Sequence, residues 1–387
     1  MKIISWHPVL TDHQSYTLEA LKNKGGCDLN VNVLKAAHAE RESQGWVNRH
    51  DASFSPTLMP RKGLIKFAIH RLRENRDAVH IFSSPFEEIK LILVLILAVT
   101  FGCRVYLISE PYSSISTGYQ SNGKRYTNWL KAKLRPFLYR LYGQLLSRRI
   151  CGVFAISCLA IEQYQRIGVP RKKIFPFGYF VPHQEADNPR NFPATISKQK
   201  LLKLVFIGNL ISRKGLDILL RGIEDLNNSG FLFSLDVYGH GDFSQYDVNH
   251  ASVRYCGLIP FGYSQSVISE YDFLVLPSRY DGWGVVVNEA LMAGVPVICS
   301  NQVGASAVIN KWHCGSVFIS EDVSDFVAKL KDISIHLEKR NSMRDAALKA
   351  GASLSPEIAS QYMFDVINQK PTENGMQKQN ECPWYGC

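Results

Sequence analysis

The chain has 387 residues, 46% apolar and 20% charged, with a formal charge of +10 and a pI of about 9.1. That length is generous for one core and suits two domains, and the composition is that of a soluble globular protein. The longest apolar run, residues 91–102, falls short of the roughly 20 residues that cross a bilayer, so it predicts a buried helix and excludes a membrane span.

The positive charge is lopsided. Residues 1–190 hold 27 Lys and Arg against 14 Asp and Glu, and the remainder holds 17 against 20. Such a field suits nucleic acid, anionic lipid or an anionic acceptor; no nucleic-acid module accompanies it, so no nucleic-acid partner is expected. The nine cysteines form no CxxC pair, and several sit in apolar runs, which predicts buried, reduced thiols. Residues 1–8 run straight into a first strand without a secretory leader, so a cytoplasmic setting is expected.

In chain order, strand-like runs at 2–6, 28–34, 79–82, 105–109 and 152–156 alternate with helical patterns, predicting βα units and a mostly parallel sheet. His7, Asp12, His13 and Gln14 cluster after the first strand, and Glu110 ends another in the segment LISEPY. These polar groups suit an acceptor hydroxyl or a phosphate, and equally an ordinary capping loop.

Residues 124–149 hold eight Lys or Arg interleaved with Trp129, Phe137, Tyr139 and Tyr142, and no acidic residue lies between Glu110 and Glu162. Leu130, Leu134, Leu138, Leu141 and Leu145 mark one helical face, and Pro136 allows a break or a fresh start. The leucines suit packing on a sheet, and the basic flank suits an anionic membrane surface.

Residues 183–200, polar and without periodicity, read as an interdomain linker. Strand-like runs resume at 202–207, 233–238, 253–255, 273–277, 295–299 and 316–319. The expected organisation is therefore α/β, with a first domain over 1–182 and a second over 201–355. Two doubly wound sheets would then face a central cleft at the carboxyl ends of their strands. Ser355 and Pro356 open a helix over about 356–368, and the polar residues 370–387 predict a disordered tail.

The densest segment is 279–300, RYDGWGVVVNEALMAGVPVICS. It reads as a strand end, a glycine loop, a helix opening at about Gly284, and a new strand. Backbone N–H groups at such a helix start favour an anion such as a diphosphate. Asp281 and Glu289 suit hydrogen bonding to vicinal hydroxyls, so the combination suggests a nucleotide sugar.

This segment resembles the acid-x7-acid signature of the family-4 glycosyltransferases, which have the GT-B fold of two Rossmann-like domains. Asp281 stands where that family usually has Glu. The resemblance continues through FIGNLISRKG (206–215), DVYGHGD (236–242), VRYCGLIPF (253–261), DFLVLPSRYDGWG (272–284) and NQVGASAVI (301–309). It implies a retaining transfer from a nucleotide-diphosphate sugar to a glycan or lipid-linked acceptor, without a bound metal or other cofactor. Polysaccharide or lipopolysaccharide assembly at the cytosolic membrane face is the expected setting.

By that resemblance Arg213 and Lys214 would hold the diphosphate, with Gly284, Val285 and Val286 offering amides. Glu289 would bind the ribose, and Asp281 would lie near the donor sugar. Gly208 and Gly239 would allow close backbone approach, and Leu258 and Ile259 would contact the base or simply fill core. His13, Gln14 and Glu110 would serve the acceptor. The family often has Arg where this chain has Asn209, and Asn where it has Cys314. With those departures, an epimerase of the same fold and a non-catalytic sugar-nucleotide-binding protein stay open.

Overall fold

The computed structural model describes residues 1–24, 26–36, 53–113, 116, 125–184, 201–246, 248, 252–369 and 381–386. Most of the expected linker (185–200) and of the expected tail (370–380 and 387) lies outside them. The chain divides into two compact units, one of residues 1–112, 133–182 and 356–387, the other of 113–132 and 183–355.

The first unit is built on seven parallel strands: β1 (Lys2–His7), β2 (Asp28–Val33), β3 (Thr57–Leu58), β4 (Val79–Ser83), β5 (Arg104–Ser109), β6 (Gly152–Ile156) and β7 (Ile174–Phe177). They lie in the order β3-β2-β1-β4-β5-β6-β7. β4 and β6 are buried along their whole length, as strands covered on both faces must be, hence their near-continuous apolar sequences. The neighbours β1 and β4 mark where the strand order reverses, the position at which open α/β sheets bind ligands.

Helices α1 (Asp12–Asn23), α2 (Leu64–Glu74), α3 (Ile89–Thr100), α4 (Arg125–Leu146) and α5 (Ser157–Arg166) alternate with these strands. The apolar run 91–102 forms α3, but not a fully buried helix. Leu91, Val94, Leu95 and Ala98 are buried while Ile89, Leu93 and Ile96 face solvent.

In α4 the leucine face does not pack on the sheet. Asn128, Ala132, Tyr139 and Leu146 are the buried positions, and Gly143 lets the helix approach so closely that a Cβ there would lie 2.1 Å from the Ile167 carbonyl oxygen. Trp129, Leu130, Leu134, Phe137, Leu138, Leu141 and Leu145 are exposed. Pro136 is accommodated inside a continuous helix rather than breaking it.

The second unit has six parallel strands: β8 (Leu202–Ile207), β9 (Phe233–Tyr238), β10 (Val253–Gly257), β11 (Phe273–Leu276), β12 (Val297–Ser300) and β13 (Gly315–Phe318). Their order is β10-β9-β8-β11-β12-β13. Helices α6 (Leu216–Asn228), α7 (Ser264–Ile268), α8 (Val285–Met292), α9 (Ser306–Trp312), α10 (Val323–Ile335) and α11 (Leu337–Ser353) cover it. Phe206, Leu219, Ile223, Leu235, Phe273 and Phe326 belong to one core between sheet and helices. The two units are thus separate Rossmann-like α/β layers.

Helix α12 (Pro356–Asn368) groups with the first unit and packs on α1. The reading of 370–387 as a disordered tail is corrected at 381–386. Trp384 and Tyr385 are completely buried. The Tyr385 phenol receives the amides of Ser157 (3.1 Å) and Phe177 (2.9 Å) and reaches the carbonyls of Phe177 (2.7 Å) and Ala155 (3.2 Å). Trp384 stacks edge-on against Phe177, Phe180 and Tyr362. Two large rings removed from water outweigh a polar local composition.

The cysteine reading also needs amendment. Cys27, Cys103, Cys299, Cys314 and Cys382 are buried free thiols, whereas Cys151 and Cys256 are free but partly accessible, and Cys158 is disulfide-bonded. Among the described residues no helix is long and apolar enough to cross a membrane.

Candidate active site

The residues of the second unit singled out in the sequence gather at the carboxyl edge of its sheet. Arg213 and Lys214 lie in a short 3-10 turn after β8, closed by Gly215. Asp281 follows β11, and its loop is fixed by the Asp281 amide on the Gln302 carbonyl (2.9 Å) and the Gly304 amide on the Asp281 carbonyl (2.9 Å). Trp283, fully buried, donates its indole N–H to Asn288 (2.9 Å) and pins the glycine loop to the helix that follows.

Lys214 Nζ lies 2.6 Å from Asp281 Oδ2, and Arg213 sits 4.0 Å from the other oxygen while donating to the Tyr280 carbonyl at 2.9 Å. Burial raises the Asp281 carboxyl, but Lys214 and Arg213 outweigh it and hold it below the usual range. Burial lowers Lys214, with Asp281 acting against that shift. The pair is therefore an ion pair, with side chains only 15% and 13% exposed. Arg213 Nε is buried without a hydrogen-bond partner, an unspent donor within a doubly cationic turn. Such a site can take up an anion.

Helix α8 opens at Val285 behind Gly284, whose φ of 89° is the left-handed conformation that glycine tolerates. The first amides of a helix lack internal partners, so Val285 and Val286 present N–H groups and the positive end of the dipole. Gly208 lies under the Lys214 side chain. A Cβ on Gly239 would fall 1.8 Å from the Gly208 carbonyl oxygen, so the glycine permits contact between the ends of β8 and β9 rather than a separate phosphate loop.

Glu289, in the second turn of α8, accepts from the Ser264 hydroxyl at 2.7 Å. Burial raises its carboxyl to about 7, opposed by that hydrogen bond. Ser264 carries no signal in the sequence, since nothing in a lone serine 25 residues upstream announces the contact. Leu258 is half exposed and Ile259 partly exposed, so neither fills the core.

A second polar group lies at the carboxyl edge of the first unit, after β1, β4, β5 and β7. Gln14, three residues into the helix capped by Thr11, donates to Ser83 at 3.0 Å. Tyr179 donates to Glu110 at 2.5 Å, and its ring lies 4.2 Å from that of His13. His7 is buried, with Nε2 2.6 Å from the Ser5 hydroxyl, and burial lowers its pKa to about 4. Glu87, in a 3-10 turn after β4, is raised to about 7 by desolvation first and then by Glu110. His13, Gln14 and Glu110 are thus brought together. Ser83, Glu87 and Tyr179 join them unannounced, because four separate strand ends supply the set.

With these distances established, likeness to known proteins can be placed on them. Residues 187–350 match the family model of group 1 glycosyl transferases. An uncharacterized 41.2 kDa protein in the cps region of Klebsiella pneumoniae is 28% identical over 155 residues, 39% of this chain and 42% of that one. The putative colanic acid biosynthesis glycosyltransferase WcaL of Escherichia coli K12 is 23% identical over 206 residues, 49% of each chain. The chain thus spans less than half the length of these relatives. Among solved structures, Anabaena Alr3699/HepE in complex with UDP superposes with a TM-score of 0.68 at 13% identity, covering 95% of this chain and 99% of that one. The lipopolysaccharide outer core galactosyltransferase WaaB gives 0.64 at 14% identity with the same coverages. The two Rossmann-like sheets are those of GT-B glycosyltransferase structures.

Proposed function

We propose that the protein is a glycosyltransferase that moves a sugar from a nucleoside-diphosphate sugar to a glycan or lipid-linked acceptor. The observation that carries this reading is the convergence of Arg213, Lys214 and the opening amides of α8 on one edge of the second sheet, with an unspent Arg213 donor among them. The donor's diphosphate would compete with Asp281 for Lys214. Asp281 would keep the ammonium charged and aimed, and the cations would stabilise the charge growing on the departing nucleotide. Glu289 and Ser264 would take the ribose hydroxyls. Charge neutralisation by side chains and a helix terminus makes a metal unnecessary in this scheme, and the family resemblance favours retention at the anomeric carbon.

Capsule and colanic acid relatives and the WaaB likeness support a place in polysaccharide or lipopolysaccharide assembly. The α4 helix supports work at the cytosolic membrane face. Its exposed apolar side chains lie among Lys131, Lys133 and Arg140, all exposed, with no acidic residue nearby in sequence. That is the chemistry of a helix lying on anionic lipid.

The test is Lys214→Ala assayed against a panel of nucleotide sugars with a lipid-linked glycan extract as acceptor. Turnover should fall by roughly 10²–10³-fold, as on loss of one charge-stabilising donor, while circular dichroism stays native. Undiminished transfer would overturn the assignment. Conversion of the donor sugar without any acceptor would mark an epimerase instead.

A further inference from the structure

The polar edge of the first unit has a chemical bias of its own. Its hydrogen-bond donors are engaged within the group: the Tyr179 hydroxyl on Glu110, and the Gln14 amide on Ser83. Glu87 keeps a solvent-accessible side chain that makes no hydrogen bond or ion pair among the described residues, although it is hemmed in by its surroundings. The charged and titratable groups that act on it are Glu110, Glu88 and Arg135, and Glu87 in turn acts on Tyr179. Three carboxyls thus face one guanidinium. Beside Gln14, the buried His7 ring has no hydrogen-bond partner at Nδ1, although only 1% of the residue is exposed. A buried polar atom left open in this way calls for a ligand or a water.

We propose that Glu87 and Glu110 line the subsite for the reacting end of the acceptor, and that this end is an uncharged, hydroxyl-rich sugar rather than a uronate or a sugar phosphate. This rests on the glycosyltransferase reading and narrows its substrate. A ring bearing free hydroxyls brings the O–H donors that the carboxyls lack. An anionic group would meet two carboxyls of like sign at short range, which disfavours it strongly. Partial protonation of Glu87 near neutrality lets it both accept and donate, as recognition of a hydroxyl requires. Any negative charge on the acceptor then belongs to its lipid-phosphate end, where α4 offers cations.

The experiment measures binding of methyl glycosides to the full chain by saturation-transfer NMR with UDP present. The probes are the methyl hexopyranosides of glucose, galactose and mannose, with methyl glucuronide and methyl galacturonide at equal concentration. At least one neutral glycoside should bind, and the uronides should bind at least tenfold more weakly. Glu87→Gln should raise uronide affinity by roughly tenfold, the effect of about 1.4 kcal/mol of repulsion removed. Equal binding of a uronide by the wild type, no binding by any neutral glycoside, or no gain in Glu87→Gln would each overturn the proposal. UDP affinity, followed in the same samples, reports on the second unit. If UDP binds and is lost in Lys214→Ala while the neutral glycosides fail, only the subsite proposal falls. If UDP itself does not bind, the transferase reading falls with it.

Discussion

The carboxyl edges of the two sheets carry opposite chemistry by opposite means. In the second unit two cations and one acid come from two loops close to their strand ends, and the charges neutralise one another across 2.6 Å. In the first unit carboxyls predominate, drawn from four strand ends and a helix start. The strands beyond them are fastened by Tyr385, more than two hundred positions away in sequence. One edge is self-contained; the other depends on the far end of the chain. An anion-binding edge built from a contiguous motif survives much drift elsewhere, while a dispersed edge is exposed to any change in its supports.

The largest effect that would break this contrast is expected at Trp384. Trp384→Ala removes a fully buried indole and should cost about 3–5 kcal/mol, read as an earlier transition in thermal melting. UDP affinity, a property of the second unit, should hold until that transition. Loss of UDP binding at low temperature in this variant would show that the second unit also depends on the far end of the chain.

A smaller effect is a pH dependence set by Glu289. Its carboxyl lies at about 7 in the folded protein against an ordinary value of 4.5. Between those values the folded state holds the extra proton, so this group's contribution to stability is complete below 4.5 and declines as pH rises through 7. The melting temperature should fall from about pH 5 to about pH 8, and Glu289→Gln should flatten part of the fall. Glu87 adds a decline of the same sign in the same window. A wild-type melting temperature that rises across that range would contradict the burial of these two groups.

The smallest effect on folding should accompany a large effect on location. Leu134→Glu with Phe137→Glu alters two exposed side chains, so stability should change by no more than about 0.5 kcal/mol per site. Co-sedimentation with vesicles of phosphatidylglycerol and phosphatidylcholine should drop by about tenfold or more, as two charges replace the apolar anchors. Retained sedimentation would remove α4 from the membrane reading.

What was legible in the sequence follows the same division. The glycine loop, the opening of α8 at Val285 and the start of α12 at Pro356 stand where local chemistry put them, because caps and turns are decided within a few residues. The direction of the α4 leucine face was not legible. Helical periodicity reveals a face but not its partner, and here the small and polar set Asn128, Ala132 and Gly143 packs inward instead. The ion pair of Lys214 with Asp281, the Ser264 hydroxyl on Glu289, and the assembly of Glu87 with Tyr179 are tertiary facts without a local signature. The burial of Trp384 and Tyr385 was hidden by a glycine- and proline-bearing context that reads as a solvated end.

The phenol of Tyr385 has a consequence for how the protein is made. The amides of Ser157 and Phe177 are synthesised long before the ring that satisfies them emerges from the ribosome. Until then the edge formed by β6 and β7 must hold water or a chaperone where the ring will go. Completion of the first unit therefore waits for residues translated after the whole of the second, inverting the usual order in which domains mature during translation.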